Sequence, residues 1–187
     1  MRSSGSTRSL PDRRIRLGLV LVGDDHPRAC TGRRLVRLGL ARQLRTASAE
    51  KAVVLDPYAP VPLTAADRPR ALASGLVAVD CSWNRLSAAH ARNSRALPLA
   101  SSHARRLPML MATNPQHFGR LGELNTVEAL AAALYLLGEP SEAETLLAGF
   151  AGGSAFLSVN GERLARYARA SSASELVREE RSLFGES

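Results

Sequence analysis

The chain of 187 residues lacks most of the signatures that assign a protein to a class at sight. It has two cysteines, Cys30 and Cys81, with no CxxC pair, which excludes a disulfide framework and a cysteine-rich zinc site. The four histidines, His26, His90, His103 and His117, share no spacing, and no HExxH or paired-carboxylate motif is present, so no metal is expected. Neither a Walker-type glycine-rich loop nor GxGxxG occurs, which leaves nucleotide hydrolysis and a Rossmann cofactor without support. No uncharged apolar run approaches about 18 residues, so no transmembrane helix and no membrane partner is expected. Leu17–Gly23 behind Arg13-Arg14 is too short for a twin-arginine signal, ends in Asp24-Asp25 and lacks an Ala-x-Ala cleavage site; a cytoplasmic location is expected.

Lysine is nearly absent too: of 25 basic side chains all but Lys51 are arginine, which with 30 alanines marks a GC-rich genome rather than a mechanism. The placement of charge is more informative. The formal net charge is +8, and residues 1–50 carry 11 arginines against Asp12, Asp24, Asp25 and Glu50, a net of +7. A basic face built from one end of the chain points to a polyanion, RNA or DNA first. With 45% hydrophobic residues the chain can bury a core, and its length fits one domain.

Residues 1–14 read as a disordered basic tail. Ile15–Val22 reads as a buried strand, Gly32–Arg45 as a helix with an arginine-rich face, and Ala52–Leu55 as a short strand. Thr64 and Asp67 form a capping signal for a helix that Gly75 ends, and Leu76–Asp80 is a buried strand with a carboxylate at its end. Residues 84–106 are an irregular excursion before a strand over Leu107–Thr113. Asn125-Thr-Val-Glu128 caps a buried alanine-rich helix over 126–137, Ser141 caps another, and 154–170 form a third with Phe156, Leu157, Leu164 and Tyr167 facing inward. Residues 171–187 read as a flexible tail. Strands alternating with helices imply an α/β fold, a mostly parallel sheet with flanking helices and a helical C-terminal part, in a single domain over 15–170.

Three segments carry candidate chemistry. Cys30-Thr31-Gly32-Arg33-Arg34 lies at a loop-to-helix junction, where Thr31 can bond an anionic group or serve as an ordinary cap. Val79-Asp80-Cys81-Ser82-Trp83 leaves a strand at its carboxyl end, where ligands of open α/β sheets gather. There Asp80 can accept a proton or fix a substrate amine, and Trp83 can wall a pocket; a capping aspartate and a core tryptophan fit the same residues. Ala112–Gly119 leading into Leu124–Glu128 joins a strand end, a tight turn and a helix start, which suits a small polar ligand and equally a structural turn.

In order along the chain, Pro27–Leu35, Ala65–Arg68, Gly75–Trp83, Ala112–Gly119, Leu124–Ala132 and Phe156–Asn160 resemble the ribosomal small-subunit RNA aminocarboxypropyltransferase family. The matching patterns are Pro-x-x-Cys-Thr-Gly-basic-basic-Leu, Gly-Leu-x-x-Val-Asp-Cys-Ser-Trp, Ala-x-Asn-Pro-x-x-aromatic-Gly, Leu-x-Thr-x-Glu-Ala-x-Ala-Ala and Phe-Leu-x-x-Asn. Relatives often show Arg-Pro-x-Lys-Leu where this chain reads Arg120-Leu-Gly-Glu-Leu124. The resemblance implies a monomeric enzyme with a smaller N-terminal lobe (15–75) and a SPOUT-like part (76–170) with a C-terminal trefoil knot. It implies transfer of the 3-amino-3-carboxypropyl group of S-adenosyl-L-methionine to N3 of a hypermodified pseudouridine in small-subunit rRNA. Carried over, Thr31 holds the cofactor carboxylate, Val79 the ribose, Asp80 and Trp83 the methionine portion, and Leu107, Gly122 and Thr126 the adenosine. Asp80 is the candidate catalytic residue, and Arg33, Arg34 and Arg37 are candidate RNA contacts. A knotted rRNA methyltransferase and a non-catalytic RNA-binding ribosome-assembly factor are the competing readings.

Overall fold

The structure is a computed structural model and describes residues 14–22, 31–83, 87–88 and 101–185. The basic tail before Arg14, the loop with Asp24, Asp25 and Cys30, and most of the 84–106 excursion lie outside the described residues.

Leu17–Leu21 (β1), Arg42–Gln43 (β2), Val53–Leu55 (β3), Leu76–Asp80 (β4) and Ala104–Arg105 (β5) form one sheet in the order β2-β1-β4-β3-β5, with every pair parallel. Side chains alternate across it, as the two-residue period of a strand demands. Leu17, Leu19, Val53, Leu55, Leu76 and Ala78 face the main core, whereas Val20, Val54, Val77 and Val79 face a smaller one with Leu44, Ala49 and Ala52. Gly18 belongs to the second face because a methyl group there would meet Leu44 Cδ1 at 2.4 Å. β4 lies between β1 and β3, so residues 15–75 and 76–170 share one sheet.

Helices α1 (Thr31–Arg37), α2 (Arg68–Ser74), α3 (Thr126–Leu136), α4 (Pro140–Leu147), α5 (Gly153–Arg169) and α6 (Ala173–Phe184) complete the described fold. α3 is buried on most sides and contacts β4, α1, α4 and α5. Its start follows the anticipated capping box, with Asn125 accepting from the Glu128 N–H. The Thr64–Asp67 box also forms, before a short 3-10 turn that runs into α2, and Gly75 ends α2 at a φ of 93°. α4 begins on Pro140 behind Glu139, not on a Ser141 cap.

Three further expectations differ from the structure. The helix expected over Gly32–Arg45 stops at Arg37, and Gly39 turns the chain at a left-handed φ of 70° into β2. Leu107–Thr113 does not form a strand; β5 supplies the edge beside β3 two residues earlier. The reason lies in its hydrogen-bond partners, which are mostly side chains or the following turn. Pro108 has no N–H to offer a neighbouring strand. Met109 N–H donates to Glu180, Met111 exchanges two bonds with the Asn160 amide, and Thr113 N–H donates to Glu128. Finally, the supposedly flexible C-terminal tail is mostly α6, capped by Ser172, anchored by buried Leu176 and joined to α5 through Glu179 and Arg166.

Candidate active site

β3 and β4 deliver their carboxyl ends, Leu55-Asp56 and Asp80-Cys81, to the wall of a cavity of about 470 Å³. Thr31, the first residue of α1, enters the same wall, as do Trp83, Arg106–Met109, Gln116-His117, Gly122 and Leu124–Thr126. Beyond the carboxyl ends of parallel strands, backbone groups and loop side chains are free to face a ligand instead of completing the sheet.

Asp80 sits where α1 and α3 begin. Thr126 Oγ1 donates to its Oδ1 at 2.5 Å. A methyl group on Gly32 would lie 2.4 Å from its Oδ2, so only glycine lets α1 approach this closely. The carboxylate is thereby fixed by two helix starts. Trp83 is fixed at its polar edge: the indole Nε1–H donates to the Leu124 carbonyl at 3.0 Å, leaving the ring as a wall.

The Arg106–Met109 part of the lining depends on the C-terminal helices. Glu180 of α6 receives both Arg106 guanidinium nitrogens, at 3.1 and 2.8 Å, and the Met109 N–H at 2.7 Å. Tyr167 of α5 donates its hydroxyl to the Met109 carbonyl at 3.2 Å; burial pushes its phenol up to about 12, so it remains a donor at every physiological pH. The Leu107 and Met109 wall is therefore held from behind by groups about 60 to 70 residues later in sequence.

The turn after this wall is held by one carboxylate. Glu128 is 2% exposed and accepts from Thr113 N–H at 2.8 Å, Thr113 Oγ1 at 2.9 Å, Asn114 Nδ2 at 2.7 Å and Asn125 N–H at 3.0 Å. On the turn, His117 pairs through Nδ1 with Glu123, which also receives Arg120 at 3.1 Å. The His117 hydrogen bond, helped by the Arg120 guanidinium, holds the Glu123 carboxyl below its usual range.

All seven residues that the resemblance assigns to the cofactor, Thr31, Val79, Asp80, Trp83, Leu107, Gly122 and Thr126, line this one cavity. Arg33, Arg34 and Arg37 are exposed on α1, which begins at that cavity. Arg34 also has a structural task, donating to the Gly149 carbonyl at 2.7 Å and lying 4.9 Å over the Phe150 ring. Sequence reasoning missed Glu180 and the His117–Glu123 pair. It read Glu128 as a cap alone, although the nearby Thr113-Asn114 donors offered a local clue.

No helix among the described residues is long and apolar enough to cross a membrane. Residues 53–184 match the family model described as "Ribosome biogenesis protein, C-terminal". A 16S rRNA aminocarboxypropyltransferase of Methanopyrus kandleri is 46% identical over 157 residues, 83% of this chain and 90% of that protein. The 18S rRNA aminocarboxypropyltransferase of Schizosaccharomyces pombe is 38% identical over 85% of this chain and 54% of its own length. Among solved structures, the SAM-dependent rRNA:acp-transferase of Vulcanisaeta distributa matches at a TM-score of 0.77 and 38% identity, covering 91% of this chain and 89% of that one.

Proposed function

Because the chain belongs to the rRNA aminocarboxypropyltransferase family, we propose that it moves the 3-amino-3-carboxypropyl group of S-adenosyl-L-methionine onto N3 of a (N1-methyl)pseudouridine in small-subunit rRNA during ribosome biogenesis. The observation that carries this reading is the convergence of seven residues from four separate segments on one cavity wall. A volume of about 470 Å³ suits a small-molecule site, for which about 300–1,000 Å³ is usual. The donor set also fits, with a carboxylate for an ammonium, a hydroxyl for a carboxylate, and Leu107, Met109 and Leu124 for a purine.

The bound sulfonium supplies an electrophilic γ-carbon and a good leaving group, methylthioadenosine. The protein's share is placement. Asp80 holds the methionine ammonium, Thr31 donates its hydroxyl to the methionine carboxylate, and Trp83 walls that chain. The Val79 backbone binds the ribose, while Leu107, Gly122 and Thr126 border the adenosine. Such fixation directs attack to the γ-carbon and covers the sulfonium methyl, so orientation supplies much of the catalysis. The same reading includes a SPOUT-like knotted C-terminal part and a monomer acting in the cytoplasm.

Cofactor labelled separately in its methyl and carboxyl carbons, incubated with small-subunit rRNA, tests the reaction. Transfer of carboxyl label is expected. Methyl transfer instead points to a SPOUT-type methyltransferase, and RNA binding without transfer to an assembly factor.

For the RNA itself, Arg33 and Arg37 are the test positions, since Arg34 also secures α1. Reversing both to glutamate is expected to weaken binding and to lower the slope of log affinity against log salt by roughly 1 per lost phosphate contact. Unchanged affinity and slope at about 0.1 M salt would place the RNA surface elsewhere.

A further inference from the structure

Among the groups of the cavity wall that the placement of S-adenosyl-L-methionine does not use is an imidazole paired with a carboxylate. We propose that His117, oriented by Glu123, accepts the proton of the acceptor imide; this rests on the aminocarboxypropyl-transfer reading above.

An imide nitrogen attacks carbon only as it gives up its proton, so a base must stand beside the cofactor. Asp80 is an awkward choice. Its Oδ1 is bonded to Thr126, its Oδ2 lies against the α1 backbone at Gly32, and its charge is assigned to the methionine ammonium. His117 meets the need better. Glu123 is kept anionic by its two partners, and a carboxylate can only accept, so Nδ1 carries the hydrogen in the neutral ring. The remaining nitrogen, Nε2, then has its lone pair available. The ring is partly exposed, at 23%, and lines the cavity. A nitrogen base fixed in one tautomer by a carboxylate is an arrangement suited to general-base catalysis.

The backbone under His117 is rigidly placed. Its N–H donates to Asn114 Oδ1 at 3.1 Å, and its carbonyl accepts from Arg120 at 3.0 Å. The Asn114 amide is in turn held by buried Glu128. The other titratable groups around the site are Asp56, Asp80, Cys81 and Arg106 on the wall, with Arg120 behind Glu123.

In the step, the N3 proton passes to His117 Nε2 and the N3 electron pair forms the bond to the γ-carbon. The γ-carbon–sulfur bond breaks, its electrons leave with methylthioadenosine, and His117 returns the proton to solvent.

The test compares wild type with His117→Asn, His117→Gln and Glu123→Gln. Calorimetric affinities for S-adenosyl-L-methionine and for the rRNA fragment are expected to stay within about twofold, because none of these side chains is assigned to hold either. Single-turnover transfer near neutral pH falls by about 10²–10⁴-fold in both His117 variants, the usual contribution of a general base. The rate limb that follows histidine ionisation disappears from their pH profiles, and the rate climbs only as the imide ionises by itself. Nitrogen NMR of the wild-type ring shows the Nδ1–H tautomer, and Glu123→Gln loses that preference together with part of the rate. Undiminished transfer and an unchanged pH profile in His117→Asn, or an Nε2–H tautomer in wild type, overturn this assignment while carboxyl transfer by wild type stands. Absence of carboxyl transfer by wild type overturns the underlying reading and this assignment with it.

Discussion

Replacing Asp80 with alanine is expected to abolish aminocarboxypropyl transfer while leaving RNA affinity nearly intact. The carboxylate stands at the carboxyl end of β4, fixed by Thr126 Oγ1 and packed against Gly32, and in the proposed placement its charge pairs with the methionine ammonium. A hydrogen bond to a charged group is worth about 1.5–3 kcal/mol, so cofactor affinity should fall by roughly 10- to 150-fold. The loss in rate is larger, because a cofactor released at its amine no longer presents the γ-carbon. Asp80→Asn separates the terms: it keeps the size of the side chain, removes the charge, and is expected to lose affinity nearly as fully. Thr126→Val, which removes only the hydroxyl donor, should cost less than either. Equilibrium binding of the cofactor and single-turnover label transfer read the two effects apart. An Asp80→Ala protein that turned over at the wild-type rate would remove the carboxylate from the mechanism.

What the sequence made legible follows from the range of the interactions involved. β3 and β4 are continuous apolar runs with turn residues beside them, and β4 forms over the residues expected, Leu76–Asp80. The two capping boxes are equally local, since each joins residues three apart. The failures share the opposite property. Leu107–Thr113 has strand-like residues, yet Glu180, Asn160 and Tyr167 take up its backbone groups, and those partners lie 49 to 71 residues away. α6 is polar along most of its length and reads as a tail until Arg106 and Met109 are known to lie beside it. One consequence is functional: the cavity wall at Arg106–Met109 depends on a helix that composition alone would discard. Five of the seven site residues lie inside the ordered family motifs and Leu107 and Gly122 between them, whereas His117 and Glu123 flank a turn and share no motif with each other. Their pairing needed the fold.

The buried carboxylate of Glu128 is expected to be the costliest single group to remove. It receives four hydrogen bonds and is 2% exposed, so Glu128→Ala leaves the buried Thr113 N–H and Asn114 Nδ2 and the half-buried Asn125 N–H without their acceptor. Orphaned buried polar groups cost about 1–3 kcal/mol each and do not add fully, which gives about 3–5 kcal/mol in all. For a chain of this length that corresponds to a fall in Tm of roughly 6–20 °C. Glu128→Gln is the informative control. Its shape fits, but its NH₂ must face either Thr113 or the Asn114 and Asn125 donors, so it recovers only part of the loss. Asn114 and Asn125 bracket the turn that carries His117, Glu123 and Gly122. Cofactor affinity and turnover should therefore decline in both variants even at temperatures where they remain folded. Thermal unfolding with and without S-adenosyl-L-methionine measures both effects. A Gln variant as stable as wild type, within about 0.5 kcal/mol, would show that packing rather than the carboxylate holds the turn.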